Sequence, residues 1–175
     1  MRLIYIILGC VIALIIILMT TYSEKPEQTT NIETLVQTNK KEALTLTVYK
    51  DKNCGCCQKW VTHLNEHNIK THVINLDNMA QIKDQYHIQP NHRSCHTAIS
   101  SDGFVFEGHV PAKFIKQFLA EKNHSQALGL TVPAMPVGSP GMEVGTQFMR
   151  YNILQINKNS TAEQYEAVTH YEQQF

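Results

Sequence analysis

Leu44-Thr45-Leu46-Thr47-Val48-Tyr49 alternates apolar and polar residues, and Cys54-Gly55-Cys56-Cys57 follows it after a polar break. Alternation at Leu44, Leu46 and Val48 is the period of a strand with one buried face. Beyond the thiols the period changes: Trp60, Val61 and Leu64 recur at helical spacing. Val73, Ile74 and Leu76 then supply a second strand, so three thiols ride at the junction of a strand-helix-strand unit.

Working outward, Met79 to Tyr86 reads as a short helix capped by Asp77 or Asn78. Ala98-Ile99-Ser100 and Phe104-Val105-Phe106 flank Ser101-Asp102-Gly103, an Asp-Gly hairpin signal. Pro111 opens a further helix with Phe114, Ile115, Phe118 and Leu119 on one face. The order strand, helix, strand, short helix, strand, strand, helix predicts an α/β fold of thioredoxin-like type, with the thiols at the end of the first strand. Leu130 to Val144 is a Pro/Gly/Met loop, because Pro133, Gly138, Pro136, Pro140 and Gly141 interrupt any regular element, and it carries Met135 and Met142. Asn152 to Ile156 reads as a last strand and Ala162 to Tyr171 as a weak helix. The predicted domain covers 44–157, with 158–175 as a polar C-terminal tail.

The N-terminal side is different. Leu3 to Met19 is an apolar or small run behind Met1 and Arg2. It is shorter than the ~20 residues of a usual spanning helix and longer than a signal-peptide core of ~7 to ~15. Without an A-x-A-like site after it, 1–22 reads as an uncleaved signal anchor, a cleaved signal peptide being the alternative. Residues 23–43 are rich in Thr, Gln, Asn, Glu and Lys and form a flexible linker. The expected location is periplasmic, with the domain tethered to the inner membrane. Cys10 lies inside the apolar run and reads as an inert membrane residue.

The 175 residues fit one ordinary domain with a sizeable core. Fifteen basic residues against fifteen acidic ones leave no net field, which argues against a nucleic-acid partner.

The chemistry lies in the sulfur. A helix N-terminus offers free amide donors and partial positive charge, which favour thiolate at Cys56 and Cys57. Cys54 and Cys57 have the C-x-x-C spacing of dithiol oxidoreductases, but Cys56 adds a third sulfur for which a two-electron cycle has no need. Cys95, followed by His96, adds a fourth from a distant segment, and His109 stands in Glu107-Gly108-His109-Val110-Pro111. Soft thiolates select Cu(I) or zinc, and neutral thioethers from Met135 and Met142 shift the balance toward Cu(I). Zinc is the alternative, content with four thiolates or with three and an imidazole. Crowded neighbouring cysteines favour bridging several ions, hence a multinuclear cluster. The plainer readings stay open at each position: a Cys54–Cys57 disulfide, packing roles for His96 and His109, and gap-filling by the methionines. His63 and His67, four apart, suit either a metal or a solvated helix face, the latter preferred. Trp60 reads as a core anchor.

The segments Val48 to Cys57, Ser94-Cys95-His96-Thr97-Ala98, Glu107 to Pro111 and Met135-Pro136-Val137-Gly138-Ser139-Pro140-Gly141-Met142-Glu143 together resemble the CopG-like family of bacterial copper-resistance proteins, long catalogued as a domain of unknown function. The resemblance runs from about Leu44 to about Ile156. It implies a periplasmic thioredoxin-like domain whose four cysteines, here Cys54, Cys56, Cys57 and Cys95, hold a multinuclear copper cluster with a role in copper redox cycling. Expected partners are copper ions, periplasmic copper-handling proteins and the membrane. The expected function is Cu(I) binding in copper resistance, with a copper-linked oxidoreductase activity left open because the sequence names no electron donor. A thiol-disulfide oxidoreductase and a passive copper chaperone are the alternatives.

Overall fold

The computed structural model describes residues 43–175, so the expected anchor and almost all of the expected linker lie outside the described residues. Strand β1 (Thr45–Asp51) leads through the thiols into helix α1 (Gly55–Glu66), strand β2 (Lys70–Leu76) and helix α2 (Met79–Gln85). A 3₁₀ turn (Pro90–His92) precedes the hairpin strands β3 (His96–Ser100) and β4 (Val105–Glu107), and helix α3 (Ala112–Ala120) follows. Three more strands close the chain: β5 (Ala127–Thr131), β6 (Tyr151–Asn157) and β7 (Ala162–Val168), with a terminal 3₁₀ turn at Tyr171–Gln174.

All seven strands form one sheet in the order β2-β1-β3-β4-β5-β6-β7. The β1–β2 and β4–β5 pairs are parallel and the others antiparallel. Because side chains alternate across a strand, the sheet carries an apolar cluster on each face. Leu46, Val48, Ala98, Phe106, Leu130 and Ile153 pack with Trp60, Leu64, Ile115 and Phe118 of α1 and α3. Ile99, Val105 and Ile156 of the same strands meet Ile88 in a smaller second cluster.

The expected α/β class and the element order through α3 stand. Asn78 is the cap of α2, its side chain accepting the Ala80 N–H, and the hairpin turns through Gly103 at φ 84°. Three expectations are corrected. The predicted loop begins too early, because Leu130 and Thr131 belong to β5, paired with Phe106 and Glu107 of β4. That strand is short and contains Gly129, so its periodicity is weak in the sequence. The predicted helix from Ala162 is strand β7. Its Ala, Glu and Gln residues favour a helix intrinsically, but a turn in which Asn157 accepts back through Ser160, at φ 68°, and donates its N–H to Thr161 O at 2.9 Å returns the chain against β6. Tertiary pairing outweighs propensity there. The segment 158–175, read as a polar tail, contributes this strand and buries Val168 and Gln174 completely. Among the described residues no helix is long and apolar enough to cross a membrane.

Candidate metal centre

The chain leaves β1 through a tight turn in which Cys54 N–H donates to Asp51 O (3.1 Å) and Asn53 N–H to Asp51 Oδ1 (2.7 Å). Cys54 is the N-cap of α1, and its sulfur accepts the Cys57 N–H at 3.3 Å, the place usually taken by a Ser or Asp oxygen. That cap puts the two sulfurs on the same side of the first turn, and they are joined as a disulfide with Cα atoms 5.3 Å apart. Cys56 and Cys95 lie outside the bond, with Cys56 Sγ 3.5 Å from Cys54 Sγ. The sheet supplies the fourth sulfur: β3 pairs with β1 so that His96 faces Lys50, which sets Cys95 beside the end of β1. The sulfurs of Cys54, Cys56, Cys57 and Cys95 all lie within 4.8 Å of one another. Two of them offer thiolates only once the disulfide has taken up two electrons.

Cys95 also faces two imidazoles. Its sulfur is 3.1 Å from His109 Nε2 and 3.3 Å from His96 Nδ1. His109 Nδ1–H donates to Pro140 O at 2.8 Å, which leaves the Nε2 lone pair directed at the thiol. His96 is fully buried, its ring tilted against Trp60 at a centroid distance of 4.2 Å. Its Nε2 is the buried side-chain nitrogen or oxygen that has no hydrogen-bond partner among the described residues. Burial holds both imidazoles below the usual histidine range; for His96 the neighbouring His109 adds to this, whereas Pro140 O opposes it at His109. Burial pushes the Cys95 thiol up to about 12, with the Cys56 sulfur adding to it. These are neutral groups at pH 7, ready to ligate once a metal displaces the thiol proton.

A buried polar network fixes the Cys95 segment. Glu107 Oε1 accepts from Ser94 N–H (2.6 Å) and from Lys83 Nζ (2.5 Å), while Oε2 accepts from Thr97 Oγ1 (2.6 Å). The same Lys83 also donates to Thr97 Oγ1 at 3.1 Å. One carboxylate therefore ties both flanks of Cys95-His96. The Pro/Gly/Met loop closes over the other side. Gly141, at φ 87°, lies so near α1 that a Cβ there would be 2.7 Å from Cys56 O and 2.8 Å from Trp60 N. Gln174 Nε2 donates to Gly138 O at 3.0 Å, bracing this loop from the C-terminal turn.

The structure thus brings together Cys54, Cys56, Cys57, Cys95, His96 and His109. Met135 is exposed and Met142 half-buried on the loop whose Pro140 and Gly141 line the site. Trp60 is the expected core anchor, fully buried with its indole N–H donating to Val110 O at 2.9 Å. His63 is not on a solvated face: it is buried, and its Nε2 accepts the Ala112 N–H at 3.1 Å at the start of α3. Glu107, Lys83, Ser94 and Gln174 escaped the sequence reading. The signal for Glu107 in the sequence is a lone acid at the end of the apolar run Phe104-Val105-Phe106.

Comparison with known proteins agrees with this geometry. A family described as a protein of unknown function, DUF411, matches residues 92–142. Two solved structures of a copper resistance protein, CopG, in forms 1 and 2, each superpose with a TM-score of 0.67 at 34% identity, covering 72% of this chain and 98% of the other. No curated protein matches the chain.

Proposed function

Because the chain belongs to the family of the copper resistance protein CopG, we propose that it is an exported copper-binding protein of copper resistance that holds Cu(I) between the sulfurs of Cys54, Cys56, Cys57 and Cys95. The observation that carries this reading is the convergence of four sulfurs within 4.8 Å. No single disulfide needs that many, and closely packed thiolates suit a soft monovalent ion that they can bridge. The strand order β2-β1-β3-β4, with α1 crossing between parallel strands, supports a thioredoxin-like core beneath the site. The apolar run from Leu3 to Met19 supports export with an inner-membrane tether.

The disulfide adds a redox step to this reading. Two Cu(II) ions taking one electron each from the Cys54 and Cys57 thiols would give two Cu(I), one S–S bond and two protons. Reduction of that bond by an exported dithiol restores the four-thiolate set. The protein would therefore cycle between a disulfide form and a Cu(I)-loaded form. In the experiment that tests the binding reading, the reduced protein is loaded anaerobically with Cu(I) or Zn(II), and bound metal and protected thiols are counted. Several Cu(I) per chain with all four thiols protected is expected. Failure to retain Cu(I) would overturn it.

The Cys54–Cys57 bond favours one second reading, a thiol-disulfide oxidoreductase of exported proteins. Cys56→Ser/Cys95→Ser separates the two. A cluster loses its copper in that variant, whereas disulfide exchange at Cys54 and Cys57 persists.

A further inference from the structure

We infer that His63 is an acid-released latch between α1 and α3: its neutral imidazole holds the buried arm 109–112 against α1, and its protonation lets that arm go. The inference needs no metal and stands apart from the copper reading.

The cap of α3 leads to it. The first N–H groups of a helix have no partner within it. Pro111, the N-cap of α3, makes no side-chain bond to them. His63 supplies an acceptor from another helix: its Nε2 accepts the Ala112 N–H at 3.1 Å, which places the proton of the neutral ring on Nδ1. Three residues earlier, on the same face of α1, Trp60 donates its indole N–H to Val110 O at 2.9 Å. These two ring nitrogens bracket Pro111, and His109, Val110 and Ala112 are all fully buried. The indole does not titrate, so of the two bonds only the one at His63 can be broken by a proton.

A proton acts there in two ways. It occupies the Nε2 lone pair and sets an N–H against the Ala112 N–H, and it brings positive charge to the positive end of α3. The ionisable groups around the ring come from three elements. On α1, His67 lies at a ring-centroid distance of 4.3 Å, and Lys59 and Glu66 are exposed. From α3, Lys113 follows Ala112 and donates to Gln173 O at 2.9 Å. From the terminal turn, Phe175 sets its ring 6.0 Å away and carries the chain's terminal carboxylate. Burial first, and His67 second, hold His63 down to about 4. Opening the joint returns the group toward 6.5, so the open population should grow about 20-fold between pH 7 and pH 5. His109 leaves with the arm, losing its contact with the Cys95 sulfur at 3.1 Å and its bond to Pro140 O at 2.8 Å. A residue outside the sulfur centre thus sets the pH at which that imidazole is released.

The test is hydrogen exchange followed by NMR on the full chain in detergent micelles at pH 7 and pH 5, with and without low concentrations of urea. The reporters are the Ala112 N–H and the indole N–H of Trp60, the chain's single tryptophan. Protection corrected for intrinsic exchange should fall about 20-fold at both positions. It should depend little on urea, because a local opening exposes little surface. His63→Gln keeps an acceptor but cannot take the proton, and should show equal protection at the two pH values. Equal protection in the wild type, or a fall that persists in His63→Gln, overturns the proposal. So does a fall that carries the full urea dependence of unfolding and appears alike at Leu130 in the interior strand β5, which would make His63 a structural residue only. The first and last of these are read on the unaltered chain, so they decide the matter even if the variant misfolds.

Discussion

Glu107 accepts the backbone N–H of Ser94 at 2.6 Å, and through this one bond the end of β4 grips the residue that precedes Cys95. The carboxylate is fully buried and ionically paired with Lys83, itself nearly buried. Burial raises the Glu107 pKa while the Lys83 charge opposes that shift, so the pair stands or falls together. Replacing Glu107 with Gln leaves the Lys83 ammonium buried without its counter-charge and should cost roughly 3–5 kcal/mol in urea unfolding. Lys83→Met/Glu107→Leu removes both charges and should recover most of that stability. It still strips Ser94 N–H of its acceptor, so Cu(I) affinity should fall about 10- to 100-fold, as when the hydrogen bonds that orient a metal site's ligands are lost. Wild-type copper affinity in the refolded double variant would show that the clamp is merely structural.

Gly141 bears on the same site from the loop. Its φ of 87° is a left-handed conformation, and an added Cβ would meet the backbone at Cys56 O and Trp60 N rather than a yielding side chain. Gly141→Ala should therefore cost about 1–3 kcal/mol from strain and lift the loop from the N-terminus of α1. Thermal unfolding measures the first effect. A change in Trp60 fluorescence, with no change in secondary structure, reports the second.

How far these features could be read in advance depended on their range. The cysteine turn was legible because Leu46 and Val48 on one side and Trp60 and Leu64 on the other carry strong periods of 2 and 3.6. Cys95 and His109 were found as motifs, and their meeting needed only the β1–β3 and β3–β4 ladders. Strand β7 was not legible: Ala162-Glu163-Gln164 has helical propensity, and the pairing with β6 that overrides it is tertiary. The same holds for Gln174, whose burial depends on Gly138 O and on Tyr151 O–H, which donates to its Oε1 at 2.6 Å. No local pattern in Tyr171-Glu172-Gln173-Gln174 announces partners that far back along the chain. His63 shows the reverse error, a polar residue assigned to water by type although it caps α3 from inside.

That histidine gives the fold a defined pH dependence. Burial, with a smaller contribution from His67, holds His63 down to about 4, against an ordinary value of 6.5. A depressed histidine favours its neutral form in the native state, so the unfolded chain binds the proton more readily between those values. Stability from this group is fully present above pH 6.5 and is lost as pH falls toward 4. By linkage the loss should reach about 2 kcal/mol at pH 5. Urea unfolding at pH 7 and pH 5 should show that difference beyond whatever His63→Gln shows, since the variant has no proton to gain. Equal slopes in the two proteins would remove His63 as the cause.

Copper binding should depend on pH in the same direction but over a higher range. Burial first, and the Cys56 sulfur second, push the Cys95 thiol up to about 12, so it is protonated throughout the neutral range and a metal must displace its proton. Affinity should accordingly rise about tenfold per pH unit for this one thiol, up to the pH at which it ionises unaided. Competition titrations at pH 6, 7 and 8 compare wild type with Cys95→Ser. The wild-type slope of log affinity against pH should exceed that of the variant by about one, and calorimetry in two buffers of different ionisation enthalpy should find one more proton released. Identical slopes would mean that Cys95 is already ionised in the protein or stays clear of the metal, and either would separate it from the site that its geometry assigns.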